Sequence, residues 1–368
     1  MRLCKQYWPT PATRGSKVGP DMFWPLTSLI LAVIAILLIA INIKERSSHY
    51  NDVLELELAL QSTVSDKLRY NRRLLSSEEP IIFIGGIPRS GTTLLRVMLD
   101  SHEDIRCGEE THVIPEILEW RKKWERTDMA GYAELSGLSQ QTIDDATSAF
   151  ISELIAKHGS LAKRLCNKDP YTAETMVFLR RIFPKSKHIL MIRDARAIIH
   201  SMLKRKVPVH GYNRSDHQQM FSTWNAHISV MLNACATVKN SCILVFYERL
   251  VQRTEEEARR ILKFLDIPWS DDVLRHQEKI GKEVQLNPME FSTSQVKERI
   301  YQKALTSWFD YFSDDVLENL NKTAPLLRRL GYDTSSNRPN YTSFASDTFY
   351  ENWTASQLMF ILNQTSIP

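Results

Sequence analysis

The period of the hydrophobic pattern changes several times along the chain, and each change predicts an element. Phe23 to Ile43 runs apolar without a charge. As a helix rising about 1.5 Å per residue, that stretch matches the ~30 Å hydrocarbon core of a bilayer. Val53, Leu56, Leu60, Val64 and Leu68 then fall at helical spacing, which suits either an amphipathic, self-associating helix or a plain tether. Ile81 to Ile84 is a β-branched apolar run of the kind buried in parallel sheets. Gly85, Gly86 and Pro88 break it, and Leu94, Leu95, Met98 and Leu99 restart a helical period.

Further on, Ser101 to Thr111 reads as a loop, and residues 112–126 and 141–157 read as helices. A short strand at 164–170 leads through a loop to a helix at 171–182. Strand 188–192 precedes helices at 195–206 and 215–238, and strand 243–247 precedes a helix at 249–265. Residues 281–310 are polar and irregular, 314–330 are helical, and little period remains after Gly331. Strands alternating with helices predict an α/β fold with a parallel sheet flanked by helices.

The strand–loop–helix at 80–101 is an anion cradle in pattern. A helix N-terminus offers free N–H groups and the positive end of its dipole, and Arg89-Ser90-Gly91-Thr92-Thr93 adds further donors. Gly86 and Gly91 have the spacing of a nucleotide P-loop, but Thr92 stands where such loops carry lysine, which argues against an ordinary ATPase or kinase. Arg89 supplies a planar fork suited to phosphate instead.

Ligands of parallel sheets bind beyond the carboxyl ends of the strands. The first strand delivers Arg89 to Thr93, and the second delivers Arg193 with Ser201 and Arg205 along the following helix. The third delivers Tyr247 and Glu248. Glu109, Glu110 and Lys168 end neighbouring segments. Three arginines with hydroxyls and an aromatic ring suit a ligand with at least two anionic groups and a base.

Composition adds the setting. The net charge of +4 over 368 residues is no nucleic-acid signature, and 43% hydrophobic residues can fill a sizeable core. No cleavage site is obvious before Lys44, so 23–43 reads as an uncleaved signal anchor. The basic excess of Arg2, Lys5, Arg14 and Lys17 places residues 1–22 in the cytosol and everything after 43 in the lumen. Sequons at Asn213, Asn321, Asn340, Asn352 and Asn363 agree with a luminal location. Cys107, Cys166, Cys235 and Cys242 form an even luminal set suited to two disulfides. Three pairings are open, and 235 with 242 is the local choice. No zinc motif accompanies them.

Several blocks together resemble the protein-tyrosine sulfotransferases: Phe-Ile-Gly-Gly-Ile-Pro-Arg-Ser-Gly-Thr-Thr-Leu, Asp-Ile-Arg-Cys-Gly-Glu-Glu-Thr, Cys-Asn-Lys-Asp-Pro, Arg-Asp-x-Arg-Ala and Leu-Lys-Phe-Leu-x-Ile-Pro-Trp. The resemblance runs from about Pro80 to Asn340. It implies a P-loop-like sulfotransferase fold over 80–340 behind a luminal stem at 44–79, with a tail at 341–368. It also implies a homodimeric type II enzyme of the Golgi membrane. Such an enzyme moves a sulfuryl group from 3′-phosphoadenosine 5′-phosphosulfate to tyrosines, near acidic residues, in secreted or membrane proteins. By position, Arg89, Ser90, Gly91, Thr92 and Thr93 would hold the phosphosulfate, and Arg193, Ser201 and Arg205 the 3′-phosphate. Tyr247 with Ser292, Thr293, Gln295 and Val296 would complete the adenosine site. Glu110 would be the base, and Lys168 and Ser292 would stabilise the transferring charge without a metal. The resemblance also pairs Cys107 with Cys166 and Cys235 with Cys242.

Departures from the pattern stand beside it. His112 and Glu116 occupy positions where the family carries arginines for substrate acids, so that recognition is either altered or passed to Arg121, Lys122 and Lys123. Ser307 replaces a lysine before Trp308, leaving Lys297 or Lys303 to substitute. The alternative readings are a Golgi carbohydrate sulfotransferase and a non-catalytic member of the same fold.

Overall fold

The computed structural model describes residues 77–352, apart from 161, 299 and 301, together with Ile30, Leu31 and Val33. Two compact units divide the chain, Met1–Arg73 and Leu74–Pro368. Ile30, Leu31 and Val33 are helical. The rest of the expected span at 23–43, and the periodic stretch 53–68, lie outside the described residues. Among the described residues no helix is long and apolar enough to cross a membrane.

Five parallel strands are described in the second unit: β1 (Ile82–Gly86), β2 (Ile105–Cys107), β3 (Arg164–Lys168), β4 (Lys187–Ile192) and β5 (Cys242–Phe246). Their order is β2-β3-β1-β4-β5, so β1 is central and buried along its length. The two-residue period of a strand sends its side chains to opposite faces. On one face Ile82, Ile84, Ile189, Met191 and Val245 pack under α1 (Thr92–Asp100). On the other, Phe83 meets Ile151 and Phe183, while Leu190, Ile192 and Phe246 meet Trp224 and Ile228. Three helices link β2 to β3: α2 (Val113–Trp124), α3 (Asp128–Leu135) and α4 (Gln140–Lys157). α5 (Met176–Ile182) precedes β4, α6 (Ala195–Lys204) and α7 (His217–Val238) follow it, and α8 (Tyr247–Gln252) and α9 (Thr254–Phe264) follow β5.

Four local expectations change. Ile105–Cys107, expected within a loop, is an edge strand whose three residues are too few to show a period. α3 buries none of its residues, so no apolar stripe announced it. The helix expected over 171–182 starts as a 3-10 turn at Pro170–Thr175. The one expected over 314–330 is three short helices, the last opening at Pro325, whose ring and missing N–H forbid continuation from before it.

The packed unit continues past residue 340, into the stretch read as a tail. Tyr341 and Phe344 are buried in the core, and Arg249 Nη1 donates to the carbonyls of Phe344 and Ser346 at 3.0 and 2.7 Å. The anchor lies at the end of β4. Asp194 caps α6, pairs with Arg196 at 2.7 Å and accepts the Tyr341 hydroxyl at 2.8 Å. Glu248 accepts the Asp194 N–H at 3.0 Å and the Tyr332 hydroxyl at 2.8 Å.

Burial pushes the Glu248 carboxyl up to about 7 from an ordinary 4.5. Between those values the folded chain holds a proton that the unfolded chain has released, so stability falls as pH rises through that window. Glu248→Gln removes this titration. Urea midpoints at pH 5 and pH 8 should show the variant gaining on the parent protein as pH rises; a constant difference would contradict the assignment.

Candidate active site

Sharp loop geometry precedes α1. Gly91 has φ 107°, and a Cβ there would fall 2.5 Å from the Tyr247 ring, so the backbone passes where no side chain fits. As N-cap it brings no side-chain hydrogen bond to the helix, and no acidic residue occupies the first turn. The leading N–H groups of α1 therefore face no competing side-chain anion from their own turn. Arg89 is itself left-handed, at φ 78°, a costly conformation for a residue with a side chain.

That conformation lets the Arg89 fork join three segments. Nε donates to Ser201 Oγ at 3.0 Å, Nη1 to Ser292 Oγ, and Nη2 to Gln295 Oε1 at 2.7 Å. Arg193 lies over the Tyr247 ring at 4.3 Å and donates to the carbonyls of Arg89 and Ala304 at 2.9 and 2.8 Å. It braces the loop as well as charging it. Burial, with Arg193 and Arg205 nearby, lowers the Arg89 pKa to about 10. Crowded cations of this kind favour an anion between them. Among the described residues, Ser90 Oγ and Arg193 Nε are both buried without a hydrogen-bond partner, as suits groups that meet ligand oxyanions. Arg89, Gly91, Thr92, Thr93, Arg193, Tyr247, Ser292, Gln295 and Val296 line one cleft. Thr293 Oγ1 instead donates to the Asn287 carbonyl at 2.7 Å, fixing the turn that carries Ser292. Arg205 reaches the same turn at the Phe291 carbonyl, 3.4 Å away.

Beside this cleft, Lys168 at the end of β3 is fully buried. Its Nζ donates to Glu110 Oε2 and, at 3.2 Å, to Glu290 Oε2. Glu290 also accepts the Glu110 N–H at 2.9 Å and the Thr93 hydroxyl at 3.3 Å. Burial alone would raise its pKa, but Lys168, the Glu110 N–H and Arg96 hold it below the ordinary value. One carboxylate thus ties together the anion loop, the Glu110 loop and the buried lysine. Sequence reasoning missed Glu290, because it lies in the aperiodic stretch 281–310, where an isolated glutamate carries no signal.

Cys107 and Cys166 lie opposite each other in the β2–β3 register and are bonded. That disulfide ties the strand before the Glu110 loop to the strand carrying Lys168. Cys235 and Cys242 form the second disulfide.

The proposed substitutes for the departing residues fare differently. Arg121 is buried, donating to Asp144 at 2.8 and 3.2 Å, so it is withdrawn from any substrate. Lys122 is half-buried, and Lys123 is exposed, 3.6 Å from Glu119. Lys297 and Lys303 are exposed. Glu116 is exposed too, while the His112 ring lies 3.4 Å from Glu110. Glu110, His112 and Asp169 bring ligand atoms within 4.8 Å of one another, a donor set open to a cation. Asn213, Asn321 and Asn340 are exposed; the side chains of Asn352 and Asn363 lie outside those described.

Gly91→Ala should weaken binding of adenosine 3′,5′-bisphosphate at least about tenfold by calorimetry, because the added Cβ meets Tyr247 and strains the helix start. Unchanged affinity in a folded variant would remove Gly91 from the anion site.

Residues 80–271 match the model of the sulfotransferase family. A Caenorhabditis briggsae protein with a provisional protein-tyrosine sulfotransferase name is 57% identical over 76% of this chain and 98% of its own length. Protein-tyrosine sulfotransferase 2 of Gallus gallus is 47% identical over 72% of this chain and 73% of its own, and protein-tyrosine sulfotransferase 1 of Homo sapiens 46% over 71% and 72%. Among solved structures, the sulfotransferase domain of the Synechococcus olefin synthase is 19% identical with a TM-score of 0.47, covering 71% of this chain and 98% of that one. The chain belongs to the sulfotransferase family, within its protein-tyrosine sulfotransferase branch.

Proposed function

We propose that this protein transfers the sulfuryl group of 3′-phosphoadenosine 5′-phosphosulfate to tyrosine hydroxyls of proteins. The observation that carries the reading is Glu110 paired to the buried Lys168 at the edge of an arginine-lined anion cleft. A general base and a charge stabiliser thereby meet beside a phosphate cradle.

Glu110 takes the phenol proton. The phenolate oxygen bonds to sulfur as the bond from sulfur to the donor phosphate breaks, and adenosine 3′,5′-bisphosphate departs. Lys168 and Ser292 neutralise charge on the sulfuryl and leaving oxygens. Arg89 to Thr93 hold the 5′ end, Arg193, Ser201 and Arg205 the 3′-phosphate, and Tyr247 with residues 292–296 the adenosine. Glu290 holds Glu110 and Lys168 in register. Arginine, lysine and the start of α1 supply the positive charge, so the proposed chemistry needs no metal.

The setting belongs to the same proposal. The chain is a homodimeric, single-pass type II protein of the Golgi membrane, anchored by 23–43, with a luminal catalytic unit glycosylated at its sequons. Its acceptors are secreted or membrane proteins whose tyrosines have acidic flanks. The apolar run, the sequons and the disulfides support the membrane anchor and the luminal setting, and the family resemblance supports the homodimer and the acidic flanks.

Labelled donor with an acidic tyrosine peptide should give acid-labile label on tyrosine, undiminished by EDTA. No label, beside an active relative, would overturn the reading; label on glycans alone would favour a carbohydrate acceptor. Glu110→Ala should lower turnover by about 100-fold or more while bisphosphate affinity holds, and Arg89→Ala should mainly weaken that affinity. Retained turnover in the first, or retained affinity in the second, would reverse the roles.

Glu290→Ala should lower turnover by about 10–100-fold, as expected for a misplaced base, with bisphosphate affinity nearly unchanged. Full turnover in that variant would make Glu290 a bystander.

A further inference from the structure

A cavity of about 430 Å³ lies against the base loop, lined by residues of α2 and α4 and sharing no lining residue with the anion cleft. Val113, Ile114, Phe150, Leu154 and Ile155 give it apolar walls, and Cys166 of the disulfide also lines it. Val113 and Phe150 remain 40% and 44% exposed at its lining. An exposed apolar hollow of this size is in the range of ligand sites and is costly to leave wet.

Its position is specific. Thr111, which follows Glu110, and Asn167, which precedes Lys168, both line it. Gly108 and His158 line it as well, and a Cβ on Gly108 would fall 2.2 Å from His158 Nδ1, so the base loop lies flat against that wall. His158 Nε2 is 3.4 Å from Glu109 Oε2, which joins the wall to the residue before the base. An extended chain advances about 3.3–3.6 Å per residue. A tyrosine whose hydroxyl reaches Glu110 therefore places its near neighbours within reach of this hollow.

We propose that the hollow is an acceptor subsite that takes an apolar or aromatic side chain one or two residues from the sulfated tyrosine. The proposal rests on the tyrosine-transfer reading and adds a specificity to it. The ligand chemistry is that of the walls: a leucine, methionine or phenylalanine side chain removes apolar surface from water there, and a serine does not. Glu153 and Lys157 also line the hollow, paired with each other, which leaves its apolar walls to the neighbouring side chain.

The test compares peptides sharing one acidic tyrosine core, with phenylalanine, leucine or serine at each of the two positions on either side. The parent protein should favour the apolar peptide at one such position by about tenfold or more in kcat/KM, the discrimination expected of an apolar pocket. Phe150→Asp, at a partly exposed site, and Leu154→Trp, which fills the hollow, should each bring that ratio below about twofold, with the KM for donor unchanged. Equal rates for all peptides in the parent protein, or an undiminished ratio in both variants, would overturn the subsite while leaving the transfer reaction intact. Label on none of the peptides would instead overturn the transfer reading. Light scattering of Phe150→Asp supplies the last discrimination. A shift from dimer to monomer, with the peptide ratio unchanged, would give the hollow to a second copy of the chain and refute the proposal.

Discussion

A lysine ammonium with no exposure to water must have charged partners, because an unpaired buried charge is among the most costly groups a fold can contain. Lys168 meets that demand with Glu110 and Glu290, which come from segments far apart in the sequence. Much of the architecture follows from the pairing. β3 must lie beside β1 so that its last residue arrives next to the anion loop. The edge strand β2 must exist to carry the chain to Glu110, and the disulfide holds it to β3 at the point of delivery. The aperiodic segment after residue 281 must return across the sheet's carboxyl edge to bring Glu290. A change to one of these parts is felt by the other two through a single ammonium.

The anion cleft has the opposite electrostatic character. Three arginines crowd one end of the sheet, and the burial and mutual repulsion that lower the Arg89 pKa are relieved by hydrogen bonds to neutral oxygens. Serine, glutamine and backbone carbonyls satisfy guanidinium geometry without cancelling its charge. The guanidinium groups therefore keep their charge for an anion. A carboxylate in place of Ser201 or Gln295 would have satisfied the same donors and cancelled that charge.

Legibility in the sequence followed periodicity. β1, nearly all of β4 and the last three residues of β5 are buried and read as apolar runs, and α1, α6 and α9 carry clear stripes. Residues fixed to the ends of these elements, such as Arg89, Arg193 and Tyr247, could be placed together from strand-end logic alone. Glu290 and the return of Tyr341 and Phe344 to the core could not, because their positions depend on long loops without a period. Arg121 failed for a different reason. Its position in a basic cluster suggested an exposed charge, whereas its partner Asp144 lies 23 residues away on α4, and pairing of that range leaves no local mark. β2 and α3 escaped because one is too short for a pattern and the other buries nothing.

These differences locate where the site's two functions can vary independently. The anion cleft depends on the sheet edge and on Ser292 and Gln295, which bridge to Arg89, so a substitution there is felt in the whole loop. The proposed acceptor side is built from α2, α4 and the loop at 108–112, which meet the anion cleft through Glu110, Lys168 and Glu290. His112 touches Glu110 from solvent, and Glu116 lies exposed one turn on, so both can change without disturbing any contact of Arg89. Physical separation of this kind allows one chain to keep its donor chemistry and alter its choice of acceptor. The buried lysine is the point beyond which that freedom ends.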